Sequence, residues 1–324
     1  MTSDLQALVN QINTRLDSLE YGKEPAELYD PIQYIMSLGG KRLRPVLVLL
    51  SYSLFKDDYQ KILDPAIAVE VFHNFTLMHD DIMDKAPLRR GKQTVHEKWN
   101  ESTAILSGDV MLVQAYELLL DTDADLRAII KDFNATAAGV CEGQQLDMNF
   151  ESLPTVSENE YINMIRLKTA VLLGYSLKLG AILAGRTAEE ANALYEFGVD
   201  IGIGFQLKDD LLDVYADQAK FGKQVGGDII SNKKTFLLLK ALELANPEQK
   251  AELQSWINKV HFNPSDKVEA VKEIYAQLGI RELTRSKMQE YYDKGFAALH
   301  HLDLSQERKQ PMIDFTNYLI NREK

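Results

Sequence analysis

The chain has 324 residues, 45% of them apolar and 26% charged, which is an ordinary globular composition with room for a large core in one or two domains. Its formal charge of −12 opposes general attraction to nucleic acid phosphate, and a single cysteine, Cys141, excludes internal disulfides and thiolate metal clusters. The longest apolar run, residues 45–55, is too short to span a bilayer, so no integral membrane segment is expected, and with no basic and apolar leader at the start a cytoplasmic location is the default expectation.

Helical periodicity recurs almost from end to end and alternating β-branched runs are scarce, so the chain reads as all-α. Helices are predicted near residues 3–18 and 28–38. Gly39-Gly40-Lys41-Arg42-Leu43-Arg44-Pro45 follows, with the glycines ending one helix and Pro45 starting the next, near 45–55. Asp64 as N-cap with Pro65 at the first helical position opens a helix to about Asp84. It ends in Asp80-Asp81-Ile82-Met83-Asp84 and is trailed by the basic stretch Arg89-Arg90-Gly91-Lys92. Helices near 103–121 and 124–148 come next. Capping boxes at Ser157 with Glu160 and Thr187 with Glu190 open long helices near 158–182 and 188–215. The second of these ends in Asp209-Asp210-Leu211-Leu212-Asp213, followed by Gly222-Lys223, Gly226-Gly227-Asp228 and Lys233-Lys234. Further helices are expected near 233–245, 265–278, 281–299 and 306–322. No linker or low-complexity tract divides the chain, and residues 1–324 read as one domain.

The two acidic motifs are carboxylate combs. Residues four apart on a helix are neighbours, so Asp80 stacks beside Asp84 and Asp209 beside Asp213, an arrangement of like charges that calls for bound hard cations. Glycines let backbone approach a polyanion, and arginines offer planar forks for phosphate oxygens. Combs reach phosphate only through metal, so the two kinds of site together suggest two phosphate-bearing substrates held differently. His73, two turns before Asp80, and Gln206, three before Asp209, share the phase of the combs. Lys168-Thr169 sits in an apolar stretch, where a lysine wants an anionic partner. By themselves these residues keep plainer readings: Lys168 snorkelling to solvent, Thr169 bonding back to its helix, Phe72 and Phe75 as core aromatics. Glu142 to Asp147 reads as packing close to the cleft, outside the site.

Through GGKRLRP, His73, LMHDDIMD, RRGKQTVH, LSGD, EGQQLD, LKT, FQLKDDLLD and GKQVGGD the sequence resembles the trans-prenyl diphosphate synthases. The resemblance implies the isoprenoid synthase fold, a single large helical bundle around a deep central cleft, in a homodimer. It implies condensation of isopentenyl diphosphate with an allylic diphosphate ionised with the help of about three Mg²⁺ ions. Asp80, Asp84 and Asp209 would hold the metals, with Asp81, Asp210 and Asp213 supporting. Arg89, Lys168, Lys223 and Lys233 would contact the allylic diphosphate; Lys41, Arg44, His73 and Arg90 would hold isopentenyl diphosphate; Thr169 and Gln206 would lie near the carbocation.

Product length would be set by Phe75, five residues before Asp80, with Phe72 reinforcing the floor and Thr76 nearer in helical phase to the acidic stripe. The first comb lacks the two-residue insertion of typical bacterial farnesyl diphosphate synthases, which favours geranylgeranyl diphosphate over farnesyl diphosphate as product. A class I terpene cyclase and a non-catalytic partner subunit are the rival readings; the basic pocket argues against the first and the six intact aspartates against the second.

Overall fold

The computed structural model describes residues 3–216 and 226–321. Among these the fold is all-α apart from one two-residue hairpin, as the periodicity predicts. Packing divides the chain into two compact units. The first comprises Met1–Ala135, Leu172–Tyr195 and Leu302–Phe315, the second Thr136–Val171, Glu196–His301 and Thr316–Lys324.

The first part of the chain runs α1 (Ser3–Asp17), α2 (Ala26–Ser37), α3 (Leu43–Ser53), α4 (Leu63–Met83), the hairpin β1 (Leu88–Arg89) and β2 (Lys92–Gln93), α5 (Val95–Lys98) and α6 (Glu101–Leu120). Helix α4 is the core element of the first unit: Ala66 to Val69, Val71 and Phe72 are all at most 1% exposed, a helix apolar on every side because neighbours cover every side. It starts differently from expectation. The helix begins at Leu63 after a 3₁₀ turn, Tyr59–Ile62, and Asp64 is inside its first turn rather than capping it. The Asp64 carboxylate is taken by Arg15, whose Nε and Nη2 donate at 2.6 and 2.8 Å, and Pro65 as third residue removes an N–H that had no intrahelical acceptor anyway. Helix α3 likewise begins at Leu43, two residues before Pro45. Arg42 precedes it in the left-handed region (φ 50°), where its buried guanidinium donates to Glu70 (2.8 Å), Asn13 and the Met36 carbonyl. These fixed donors over-determine a backbone conformation that a non-glycine residue otherwise avoids.

Helix α6 also departs from the expectation that no segment reaches membrane-spanning length. Its 20 residues are long and apolar enough by length and composition, and 33% of the apolar window is buried. Ala104, Met111, Ala115 and Leu119 form its covered face, whereas Ile105, Leu106, Val113 and Leu120 are exposed.

Next come α7 (Leu126–Ser152), α8 (Glu158–Ile165), a π turn (Arg166–Ala170), α9 (Val171–Leu183) and α10 (Ala188–Tyr215). Both predicted capping boxes form: Ser157 with Glu160, and Thr187 with Glu190. The helix expected over 158–182 is real but interrupted by the π turn, which periodicity alone does not reveal. The remaining elements are α11 (Gly227–Ile230), α12 (Phe236–Leu244), α13 (Pro247–Asn258), α14 (Pro264–Gln277), α15 (Ile280–His301) and α16 (Gln306–Asn321). Helix α13 was not among the predicted elements although its start is marked. Asn246 and Gln249 make a capping box and Pro247 occupies the first turn.

Candidate active site

In the first unit, Asp80 lies in the last turn of α4 and Asp84 caps its C-terminus, the Asp84 N–H donating to the Asp80 carbonyl at 2.8 Å. Asp80 is half-buried and Asp84 exposed. Asp81, between them and rotated by about 100° on a helix of 3.6 residues per turn, is only 2% exposed. Its carboxylate receives both Nε (2.8 Å) and Nη2 (2.6 Å) of Arg89. This bidentate pair ties the hairpin to the helix and makes Asp81 a support rather than an open oxygen donor. The hairpin turn is Arg90-Gly91, both with positive φ (53° and 75°), as a two-residue type I′ turn requires; glycine takes that geometry without strain, arginine does not. Tyr34 Oη donates to the Gln93 carbonyl (2.7 Å) and Thr94 Oγ1 to that of Ala86 (2.7 Å), which hold the hairpin in place.

Arg90 Nη1 donates to the Gly39 carbonyl, bringing the two basic loops together. Among the described residues Arg44 Nε is buried without a hydrogen-bond partner, and burial pulls that guanidinium down to about 10, opposed by Glu70. Burial, and then the charges of Arg44, Arg90, Arg89 and Arg42, push the His73 imidazole well below its ordinary pKa. His73 is therefore neutral beside a group of guanidinium ions. Lys41 lies in the same loop and is exposed. Of the sequence-predicted set, Arg44 and Arg90 thus act by their charges on His73, and Arg90 bonds the loop that carries Lys41.

On the same helix, Phe75 packs edge-on against His79 (4.7 Å between ring centroids) and at a tilt against Phe72 (5.6 Å). Phe72 in turn meets Phe133 of α7 (5.0 Å), which is flanked by Tyr116 of α6 (4.9 Å) and Tyr175 of α9 (5.6 Å). Thr76 Oγ1 donates back to the His73 carbonyl (2.8 Å), which turns its hydroxyl to its own helix.

In the second unit, Asp210 is 4% exposed and accepts from Tyr161 Oη and from Gln206 Nε2 (3.0 Å). Burial pushes its carboxyl up to about 7, with Asp228 adding and Lys233, Tyr161 and Gln206 opposing. Thr169 Oγ1 donates to Gln206 Oε1 (3.2 Å), so Thr169, Gln206, Asp210 and Tyr161 form one chain of hydrogen bonds. Lys168 finds the anionic partner its setting demands in Asp147 (2.6 Å). The π turn carries Lys168 and Thr169, and it runs against Gly143 of α7, where an added Cβ would stand 2.2 Å from the Lys168 nitrogen. Only glycine admits that approach, and a widened turn at a functional position is a recurrent use of this geometry. Asp213 Oδ2 accepts the Asp228 N–H (2.9 Å) at the start of α11, while Asp209 is half-buried. The Lys233 charge reaches Asp210, and its N–H donates to the Asp228 carbonyl at 2.9 Å. Lys223 lies outside the described residues.

Two contributors lie outside the candidate set that the sequence offers. Asp147 belongs to EGQQLD, which reads as packing, and Lys168's need for an anion is the signal that points to it. Tyr161 carries no such local signal, whereas Asp228 stands in the Gly226-Gly227-Asp228 loop that the sequence marks.

Among the described residues no three His, Cys, Asp or Glu side chains converge as a preformed metal cage. The donor set still suits Mg²⁺, which takes one or two carboxylates and completes its shell with water and substrate phosphate. Asp80 and Asp84 on one helix, and Asp209 and Asp213 on the other, supply such all-oxygen pairs.

Aspartate combs backed by arginine and lysine loops on an all-α scaffold define a class of enzyme that works on diphosphates. Residues 25–278 match the model of the polyprenyl synthetase family, and the chain belongs to that family. It is 38% identical over 315 residues to a geranylgeranyl pyrophosphate synthase of Geoglobus acetivorans, covering 96% of both chains. It is 41% identical over 249 residues to a geranylgeranyl diphosphate synthase of Methanosarcina mazei, covering 74% of this chain and 77% of the other. A crystal structure of a geranylgeranyl pyrophosphate synthase superposes with a TM-score of 0.93 at 44% identity over 100% of both chains. The chain is therefore a prenyltransferase with the isoprenoid synthase fold, and the cyclase and silent-subunit readings fall away.

Proposed function

We propose that this enzyme condenses isopentenyl diphosphate head to tail with an allylic diphosphate and releases geranylgeranyl diphosphate as its main product, farnesyl diphosphate being the second choice. The observation that carries the reading is the pairing of carboxylate combs with the separate pocket of Arg44, His73 and Arg90, whose buried Arg44 Nε awaits an acceptor. The names of the relatives, and a large aromatic ring at Phe75, support the twenty-carbon product. Residues 1–324 act as one catalytic domain in this reading, since the family match runs without interruption through segments of both packing units.

Magnesium ions, when bound, neutralise the charge that builds on the leaving diphosphate. Asp80, Asp84 and Asp209 would hold them, and Arg89, Lys168, Lys233 and Lys223 would steady the allylic diphosphate. The allylic C–O bond breaks with its electron pair going to diphosphate. The double bond of isopentenyl diphosphate attacks the cation, and the proton released passes to the departed diphosphate. Lys41, Arg44, His73 and Arg90 keep the second substrate in place without metal. Neutral His73 donates one N–H there without adding a charge. Thr169 and Gln206 lie beside the cation as uncharged dipoles that cannot capture it as a carboxylate would.

The test is to incubate the purified protein with isopentenyl diphosphate, Mg²⁺ and each allylic primer in turn and to weigh the products. A twenty-carbon diphosphate is expected; absence of any condensation product overturns the reading. We also propose a homodimer in the cytoplasm. The exposed Ile105, Leu106, Val113 and Leu120 of α6 form an apolar strip for a second copy, and the lone cysteine fits a reducing compartment. Light scattering on the same preparation should give twice 36.7 kDa, and a mass of 36.7 kDa at working concentration excludes the dimer.

Arg90→Ala should raise KM for isopentenyl diphosphate about tenfold or more, the worth of a charge-assisted hydrogen bond, with KM for the allylic primer nearly unchanged. Equal effects on both constants contradict the division of labour between Arg89 and Arg90.

A further inference from the structure

A lysine outside every motif is buried against the segment that follows the second comb. Lys267 of α14 is 1% exposed, yet among the described residues its ammonium has no carboxylate partner. It donates to the Ile230 carbonyl (3.1 Å), at the C-terminal end of α11, and to Asn232 Oδ1 (2.6 Å), and it lies 4.4 Å from the centre of the Phe262 ring. Asn232 is itself in the left-handed region (φ 57°), and its Nδ2 donates to the Ile257 carbonyl (3.1 Å) at the end of α13. Burying an ammonium against neutral oxygens is expensive, and a methionine of similar volume would fill the space at lower cost. What the ammonium supplies, and methionine would not, is a grip on residues 230 and 232.

Those residues end the segment that completes the site. Its start holds the comb, through the Asp228 N–H to the Asp213 carboxylate and the Gly226 N–H to the Asp213 carbonyl (2.7 Å). Its end is Lys233, whose N–H returns to the Asp228 carbonyl and whose charge acts on Asp210. We infer that Lys267 is a positioning residue, a buried clamp that holds the 226–233 segment so that Asp213, Asp228 and Lys233 meet the allylic diphosphate in register. The inference rests on the proposed assignment of the second comb to that diphosphate.

The test compares Lys267→Met with the wild type in the full chain. Expected for the variant are Mg²⁺-dependent binding of inorganic pyrophosphate weakened about tenfold by calorimetry, KM for the allylic primer raised in step, KM for isopentenyl diphosphate within about twofold, and an undiminished Tm. Hydrogen exchange should show lost protection at the Asp228 and Lys233 amides with α10 and α14 still protected. Pyrophosphate affinity and exchange like those of the wild type overturn the clamp, and so does an equal rise in both KM values. Should Lys267→Met fail to fold, Asn232→Asp keeps an acceptor for the ammonium and is expected to retain pyrophosphate binding. Asn232→Leu removes the acceptor and is expected to lose that binding; equal affinity in these two overturns the inference. A wild-type chain that binds no pyrophosphate refutes the reading of the second comb instead, and the exchange pattern at Asp228 and Lys233 then decides the clamp by itself.

Discussion

Asp80→Ala and Asp209→Ala are each expected to lower kcat by about 10³-fold or more, which corresponds to about 4 kcal/mol of lost transition-state stabilisation. In the proposed reaction charge separates as the allylic C–O bond breaks, so cations held on the leaving diphosphate would stabilise that step and their loss would slow it. Each comb offers two oxygen-bearing side chains on one face, and removing one leaves a single carboxylate where the pair would anchor the ion at two points. Single-turnover formation of product over a Mg²⁺ titration measures the loss. Raising Mg²⁺ should recover only part of it.

Thermal unfolding separates this effect from damage to the fold. Asp80 is half-buried and Asp81 nearly wholly buried, so losing the Asp80 carboxylate should cost less Tm than losing that of Asp81. Asp81→Asn should lower Tm, because the largely buried Arg89 guanidinium then faces an amide where it had a bidentate carboxylate partner. Wild-type turnover in Asp80→Ala, or a Tm loss there as large as in Asp81→Asn, contradicts the roles assigned to the two neighbours.

Phe75→Ala is expected to shift the products to longer chains, read by mass as a ladder in five-carbon steps. Truncating a buried phenylalanine opens a space comparable to a benzene ring, close to one more isoprene unit. The extension should be short, because Phe72 and, behind it, Phe133 remain, with Tyr116 and Tyr175 bracing Phe133. Adding Phe133→Ala should lengthen the ladder again. Each truncation carries a stability cost of about 3–5 kcal/mol, so products are to be compared well below the Tm of each variant. A ladder identical to that of the wild type in the double variant places the floor elsewhere.

Much of this site is legible in the linear sequence because its rules are local. Capping boxes span three residues and combs span four, so Ser157 with Glu160, Thr187 with Glu190, Asp80 with Asp84 and Asp209 with Asp213 are set by helix geometry alone. Basic loops announce themselves by composition, and Arg44, His73 and Arg90 do come together. Where local signals were outvoted, the competitor was a distant side chain: Asp64 follows the rule for an N-cap but serves Arg15 instead, 49 residues away in sequence.

What the sequence determined by itself was therefore the helical class, the family and the class of enzyme. Only the tertiary structure decided which of six similar aspartates are turned into the protein. Asp81 goes to Arg89 and Asp210 to Tyr161 and Gln206, because adjacent residues on a helix point about 100° apart and the packing of other segments chooses the side that is buried. The same holds for Asp147 beneath Lys168 and for Lys267 against the segment that follows the second comb. A buried charge must find its partner through space, and the partner's place along the chain is set by how the helices pack, which no local pattern encodes.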